Sequence, residues 1–140
     1  MELEVFTTIS RPVATVWDFY AVNHIENHPR WDPTLRLKAM SDRPLGVGSV
    51  IRRTATRFGE TTEGTMEILE FEPEKTMRVE THDGPTTIYG WVYLEPVDDD
   101  TTNLVLGGEF PDMEESMADQ LRPMMENSAR TIKSLIESET

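Results

Sequence analysis

Arg53, Tyr89 and His82 are the side chains of this sequence whose types and places suit acid–base or electrostatic chemistry. Arg53 is the best catalytic candidate, because the alternation of its strand directs the guanidinium inward, where a fixed positive charge can stabilise a developing enolate or carboxylate. Tyr89 and His82 are weaker candidates, for proton transfer. The chain has no cysteine, which excludes a thiol nucleophile, thiolate metal ligands and disulfides. The sequence therefore identifies no complete catalytic set.

His24 and His28 are four positions apart, a spacing that can bind zinc on a helix. The glutamate and the further ligand of a metalloprotease pattern are not at matching positions, and His28 before Pro29 is more typical of a local turn. The sequence also has no Gly-rich phosphate loop and no dinucleotide-binding motif. We therefore expect neither a bound metal nor a cofactor.

The composition describes an acidic chain. Asp and Glu number 26 against 13 Lys and Arg, which gives a net charge of −13 over 140 residues. This charge disfavours nucleic acid and anionic membrane surfaces as partners, because both are bound through clustered Lys and Arg. No apolar run approaches the roughly 20 residues of a membrane-spanning helix, and residues 1–4 lack the pattern of a signal peptide. We expect one domain over residues 1–140, in the cytoplasm.

Hydrophobic periodicity predicts the elements that position these side chains. Apolar residues alternate over 2–9 and recur with helical spacing over 13–20, and a further short helical segment over 23–28 ends at Pro29. Period two then predicts strands at 34–40, 49–57, 61–71, 76–82, 86–95 and 102–110, with short turns that favour antiparallel pairing. From 112 to about 137 the helical period returns, and Pro123 is predicted to kink this helix. The fold class is α+β, a curved seven-stranded antiparallel sheet covered by the long helix.

Side-chain alternation divides the predicted sheet into an inner and an outer face. Tight pairing of the last two strands places Gly90 opposite Gly108, and a four-residue loop before them places Val79 opposite Ile88. Together with Gly64, these glycines leave the inner face short of side chains, which indicates a cavity beneath the helix. Glycines that permit bulges or curvature of the sheet are the alternative explanation.

Arg53 points into the predicted cavity and needs an acceptor there, since an unpaired buried charge is very costly. The acceptor is an acidic or carbonyl ligand or an internal carboxylate such as Glu70, unless the side chain snorkels out at the sheet edge. Methionines of the long helix suit the lining of an apolar site, and they equally suit simple core packing. The predicted ligand-binding residues share an inward position and are Arg53, Met66, Thr81, Ile88, Gly90, Leu106, Gly108, Met117, Leu121, Met124 and Trp31.

Tyr89, Trp91 and Tyr93 share one face of their strand, which the alternation assigns to the outside of the sheet. An exposed aromatic patch of this kind marks a partner surface, so a homodimer through the outer face is one prediction. The alternative is a monomer in which Arg and Lys stems cover the rings. A register slip of one residue would instead turn these aromatics into the cavity and make Tyr89 an acid–base candidate.

Several short motifs resemble those of polyketide cyclase/dehydrase-like proteins of the START/Bet v 1 (SRPBCC) superfamily. They are Ile9-Ser10-Arg11-Pro12 with Val16-Trp17-Asp18-Phe19, His28-Pro29-Arg30-Trp31-Asp32-Pro33, Gly46-Val47-Gly48, Glu70-Phe71-Glu72-Pro73 and Leu94-Glu95-Pro96. The resemblance extends over essentially the whole chain and implies a helix-grip fold, in which a curved sheet wraps a long C-terminal helix around a cavity.

The resemblance also implies a range of functions, since such proteins include cyclases, lipid carriers and chaperone activators, and fold does not determine function. The leading expectation is a protein that binds a small hydrophobic or aromatic ligand in the cavity. A polyketide cyclase/dehydrase-like activity on that ligand is an additional expectation. The alternatives are a non-catalytic lipid or small-molecule carrier or sensor, and a protein-interaction module.

Overall fold

A seven-stranded antiparallel sheet forms the centre of the fold in the computed structural model, which describes residues 1–57 and 59–140. The strand order is β1-β7-β6-β5-β4-β3-β2. Each segment that the sequence predicts as a strand forms one, and each neighbouring pair in the sheet is antiparallel. The strands are β1 Glu2–Ile9, β2 Leu35–Ala39, β3 Val50–Arg57, β4 Glu60–Glu72, β5 Thr76–Asp83, β6 Thr86–Asp98 and β7 Thr101–Glu109.

The helical segments lie before β2 and after β7, as the periodicity predicts. They are α1 Val13–Trp17, a π-helical turn at Asp18–Val22, α2 His24–Trp31, a 3-10 turn at Glu115–Met117 and α3 Ala118–Glu139. Within the described parts of the chain, no helix combines the length and the apolar character needed to cross a bilayer.

Two helix boundaries differ from the prediction. Helix α2 does not end at Pro29 but continues to Trp31, and the amide of Asp32 donates to the carbonyl oxygen of His28 at 3.1 Å. Packing of the Trp31 ring against neighbouring aromatics outweighs the local cost of the proline. Helix α3 begins at Ala118 rather than at residue 112, and no side chain caps its first turn.

The C-terminal half of α3 belongs to the hydrophobic core, whereas its N-terminal half does not. Ala129, Ile132 and Ile136 are buried, and α3 packs most extensively against β1. Pro123 lies in the N-terminal half, where no residue is fully buried. The C-terminal half of α3 is thus packed on the sheet, whereas its N-terminal half is not part of the core.

The predicted strand register is confirmed for β6–β7 and off by two residues for β5–β6. Gly90 lies opposite Gly108, as predicted. Val79 lies opposite Gly90 rather than Ile88, because the hairpin loop between β5 and β6 has two residues instead of four. Gly84 has a φ of +58°, a conformation that glycine adopts readily and that tight two-residue hairpins require. A shift of two residues preserves the face of every side chain, so the inner and outer assignments hold.

A candidate ligand-binding cavity

A cavity of about 280 Å³ lies between the inner face of the sheet, helix α2 and the N-terminal half of α3. Ten of the eleven residues that the sequence predicts for the ligand site line it, and Met117 is the exception. Met117 belongs to the 3-10 turn before α3, so the later start of the helix removes it from the predicted stripe. The apolar lining consists of Met66, Met77, Val79, Ile88, Leu106, Phe110, Met113, Leu121, Met124 and Met125.

Only one of the three inner-face glycines leaves its space open to the cavity. A Cβ atom on Gly108 would lie 2.8 Å from the ring of Phe110, so that ring occupies the space. A Cβ on Gly64 would lie 2.8 Å from a carboxylate oxygen of Asp83. A Cβ on Gly90 would meet Val79 at 3.5 Å, an ordinary contact. The cavity therefore owes its volume at the sheet to Gly90, while Gly64 and Gly108 accommodate neighbouring side chains.

Arg53 lies at the cavity wall and forms an ion pair with Asp83. Its Nε atom is 3.0 Å and 3.1 Å from the two carboxylate oxygens, and Nη1 is 3.9 Å from the sulfur of Met66. The two charged side chains are only 9% and 11% exposed. The proposal of Glu70 as an internal partner is therefore wrong, because Glu70 is exposed and lies opposite Arg78. A ligand meets a compensated pair at this wall, and not an isolated cation.

Gly64 explains how the carboxylate reaches the arginine. This residue of β4 lies directly opposite Arg53 on one side and Asp83 on the other. Since Gly64 has no side chain, the carboxylate of Asp83 can extend over it towards β3. A Cβ at this position would also lie 1.8 Å from the backbone carbonyl oxygen of His82, so the strand could not keep its present course.

Helix α2 and the π-helical turn before it contribute a cluster of aromatic rings to the opposite wall. The Tyr20 and Trp31 rings are stacked with centroids 5.2 Å apart, and the His28 ring is stacked on Trp31 at 5.1 Å. The His24 ring lies between them, 4.6 Å from His28 and 5.2 Å from Tyr20. All four residues line the cavity, which gives it an aromatic wall suited to contact with aromatic ligands.

His24 is the most buried polar group of this wall, with 2% of its surface exposed. Its Nδ1 lies 2.8 Å from the carbonyl oxygen of Tyr20. Because a carbonyl only accepts hydrogen bonds, Nδ1 carries the hydrogen and Nε2 carries the lone pair. Among the described residues, none forms a hydrogen bond with Nε2.

The imidazole of His24 is neutral at physiological pH. The pKa of His24 is lowered from 6.5 to about 4, chiefly by burial and to a smaller degree by the positive charge of Arg53, while the Tyr20 hydrogen bond opposes this shift. Burial also raises the pKa of the Tyr20 hydroxyl. The cavity thus contains a neutral acceptor on α2 and a compensated ion pair on the sheet.

Of the two weaker catalytic candidates, Tyr89 is among the residues that line the cavity, whereas His82 is not. The Tyr89 hydroxyl donates to Glu80 at 3.2 Å on the outer face, and this hydrogen bond raises its pKa. The imidazole of His82 is half exposed and lies 3.4 Å from the same carboxylate. The polar groups of both residues thus contact Glu80 and no group of the cavity. Within the described residues, no cluster of three or more His, Asp or Glu could hold a metal ion.

The outer aromatic face is largely covered by Arg78. Its guanidinium carbon is 4.8 Å from the centroid of the Trp91 ring and 5.7 Å from that of Tyr89. The Trp91 indole donates to Glu4 at 2.8 Å, and only Tyr93 is largely exposed, at 44%. The predicted covering by an arginine stem thus applies to two of the three rings, and the homodimer through this face remains a prediction.

Sequence reasoning missed Tyr20, His24 and Asp83 as cavity or wall residues. The signal for the first two was present in the spacing of Tyr20, His24, His28 and Trp31, which repeats at helical intervals. The four-position spacing of the two histidines indicated a shared helix face rather than a metal site. Asp83 was hidden by the length assigned to the turn that follows it.

Comparisons with known proteins agree with this architecture. A family model described as polyketide cyclase / dehydrase and lipid transport matches residues 1–137, whereas no curated protein matches the chain. The structure of Ara h 8.0201 is 15% identical, with a TM-score of 0.76 over 99% of both chains. That of the Zhui aromatase/cyclase from Streptomyces sp. R1128 is 17% identical, with a TM-score of 0.72 over 98% of this chain and 93% of that chain.

A third similar structure is the di-domain ARO/CYC BexL from the BE-7585A biosynthetic pathway. It is 19% identical, with a TM-score of 0.75 over 98% of this chain and 46% of that chain. At such identities these three structures show a common fold alone. The predicted helix-grip fold is confirmed.

Proposed function

The chain belongs to the polyketide cyclase / dehydrase and lipid transport family, and we propose that it binds a small, uncharged, mainly aromatic ligand in the cavity between the sheet and helices α2 and α3. The observation that supports this proposal is the lining of that cavity. Apolar and aromatic side chains make up most of it, and few polar groups point inward. This combination is typical of small-molecule sites, where the apolar wall provides affinity and the polar groups orient the ligand.

The size of the cavity limits the ligand. Its volume of about 280 Å³ lies near the lower end of the roughly 300–1,000 Å³ of typical ligand pockets. We therefore expect a compact ligand of two or three rings rather than a long acyl chain. Met124 is 61% exposed and also lines the cavity, so the mouth lies beside the N-terminal half of α3.

The ion pair argues for an uncharged ligand. An anionic ligand beside Arg53 would lie close to the buried carboxylate of Asp83, which already neutralises the guanidinium and would repel a second negative charge. An uncharged carbonyl oxygen avoids this repulsion and still finds donors, because a guanidinium has five N–H donors and Asp83 engages only the Nε of Arg53. We propose Arg53 as the donor to a ligand carbonyl.

A polyketide cyclase/dehydrase-like activity is the finer form of this proposal. The cavity would fold a substrate so that its reacting atoms lie close together, and Arg53 would stabilise the charge that develops on an enolate oxygen. Two of the similar structures described above are named as aromatase/cyclases. Non-catalytic carriage or sensing uses the same cavity, and product formation from a bound substrate separates the two.

A cavity-filling substitution tests the binding proposal. Gly90→Leu places a side chain into the open space at the sheet, and Gly46→Leu is the matched control, since a Cβ on Gly46 meets nothing within 4 Å and Gly46 does not line the cavity. Calorimetric titration with 2-naphthol is expected to show binding to the wild type and to Gly46→Leu, and at least tenfold weaker binding to Gly90→Leu. Equal affinity of all three proteins would contradict the proposed location.

A matched anion tests the preference for uncharged ligands. The carboxylate 2-naphthoate has the same ring system as 2-naphthol and differs in carrying a negative charge. We expect it to bind the wild type more weakly than 2-naphthol, because Arg53 already has a partner. Tighter binding of the carboxylate would contradict the proposed preference for uncharged ligands.

A further inference from the structure

We infer that Nε2 of His24 accepts a hydrogen bond from a ligand hydroxyl, so that His24 selects ligands that carry a donor. This inference rests on the proposed function, because it needs a ligand inside the cavity. The sequence draws attention to His24 only through its four-position spacing from His28, and the motifs that resemble the family do not include it.

The lone pair of His24 has a fixed direction. The hydrogen bond between Nδ1 and the carbonyl oxygen of Tyr20 determines the tautomer and the orientation of the ring. Tilted ring contacts with Tyr20 and with His28 also hold the same ring in place. Nε2 is therefore a preorganised acceptor rather than a group that must reorient when a ligand arrives.

The absence of a protein donor to this atom is the second observation. His24 lines the cavity and is 2% exposed, and no described residue donates to its Nε2. Buried polar atoms usually have a partner, because an unsatisfied acceptor costs stability. Because Nε2 has less than 1 Å² of accessible surface, a ligand hydroxyl has to displace the side-chain atoms that cover it, and it would then satisfy the acceptor and gain affinity for the same reason.

Arg53 and His24 together define the polarity of the ligand. Arg53 provides donors at the sheet wall, and its charge is close enough to influence the ionisation of His24 on the opposite wall. A complementary ligand has a carbonyl or ether oxygen towards Arg53 and a hydroxyl towards His24. Uncharged hydroxylated aromatic compounds have this arrangement, and simple hydrocarbons or acyl chains do not.

Two probes that differ in one hydrogen-bond donor test the inference. The hydroxyl of 2-naphthol can donate to Nε2, whereas 2-methoxynaphthalene has the same rings and no donor. We expect the wild type to bind 2-naphthol about five- to tenfold more tightly, the change that one lost hydrogen bond to a buried acceptor produces. His24→Phe keeps an aromatic ring in the cluster and removes the acceptor, and it is expected to bind both probes equally.

Two further measurements complete the experiment. His82→Phe is the matched control, because His82 lies on the outer face and does not line the cavity, and it should keep the preference for 2-naphthol. In the wild type, the nitrogen resonance of His24 Nε2 should shift with 2-naphthol and not with 2-methoxynaphthalene. This readout needs no substitution, so it decides the question even if His24→Phe does not fold.

The outcomes separate the two proposals. If neither probe binds the wild type, the proposed function fails and the inference fails with it. If both probes bind with equal affinity and the Nε2 resonance does not move, the cavity binds ligands but His24 does not select them. A preference for 2-naphthol that persists in His24→Phe would assign the acceptor to another residue and overturn the inference.

Discussion

Acidification should destabilise this protein through one buried histidine. His24 is neutral in the folded state because burial lowers its pKa from 6.5 to about 4. In the unfolded chain the same side chain takes up a proton as the pH falls below about 6.5. Between these two values the unfolded state binds more protons than the folded state, so the free energy of unfolding decreases as the pH falls.

The size of this effect follows from the shift. One pKa unit corresponds to about 1.4 kcal/mol, so a displacement from 6.5 to about 4 gives a loss of about 3 kcal/mol when the pH falls from 7 to 4. This is a large part of the ~5–15 kcal/mol by which a domain of this size is stable. The titratable or charged groups around the same wall are Tyr20, His28, Asp32 and Arg53, the last bound to Asp83.

The assay is urea unfolding at several values between pH 7 and pH 4, for the wild type, His24→Phe and His82→Phe. Other groups also titrate in this range: hydrogen bonds from the Ser10 amide and Lys133 lower the pKa of Glu137, which adds an acid-sensitive contribution. That contribution is common to all three proteins and cancels in their differences. The wild type is expected to lose about 3 kcal/mol more than His24→Phe, and His82→Phe should follow the wild type. Parallel curves for the wild type and His24→Phe would refute a neutral buried His24.

Two further predictions concern the sheet. Arg53→Met should destabilise the protein by about 3–5 kcal/mol, because it leaves Asp83 buried without its partner. The double variant Arg53→Met with Asp83→Leu should recover most of this loss. A loss that the double variant does not recover would contradict the explanation. Arg78→Ala removes the cation above Trp91 and should cost about 1 kcal/mol, with increased acrylamide quenching of tryptophan fluorescence; unchanged quenching would show that Arg78 does not cover the ring.

The sequence predicted the faces of the sheet correctly even though it predicted the wrong length for one hairpin loop, because an error of two residues does not change the face of any side chain. The loop between β5 and β6 was assigned four residues and has two, yet Val79 and Ile88 remain on the inner face. A change of two residues moves partners along the strand without turning them over. A change of one residue would have exchanged the two faces and reversed the assignment of Tyr89.

The same error concealed the partner of Arg53. With a four-residue loop, Asp83 belongs to a solvated turn, and Glu70 is then the nearest carboxylate with inward parity. In the two-residue hairpin Asp83 is the last residue of β5, opposite Gly64 and close to Arg53. The inward glycines indicated unusual space on the inner face. The structure shows that Asp83 fills the space at Gly64 and that Phe110 fills the space at Gly108.

His24 was missed for a different reason. Its four-position spacing from His28 resembles a metal-binding pattern, and the local effect of Pro29 predicts that the helix ends there. Helix α2 continues to Trp31, and this extension brings Trp31 onto the same face as Tyr20 and His24. Tertiary packing thus overrides the local effect of proline, and a boundary rule could not foresee it.

The charges of this protein act in two separate places, and both disfavour anionic ligands. The net charge of −13 belongs mostly to exposed side chains, and such a field disfavours the approach of anions. Inside the cavity, the cation that could attract an anion is already paired with Asp83. His24, the proposed acceptor of the cavity, is neutral because its surroundings exclude water and include Arg53. An anionic ligand therefore gains nothing from its charge at either place, and selection among uncharged ligands depends on ring shape and on one correctly placed hydroxyl.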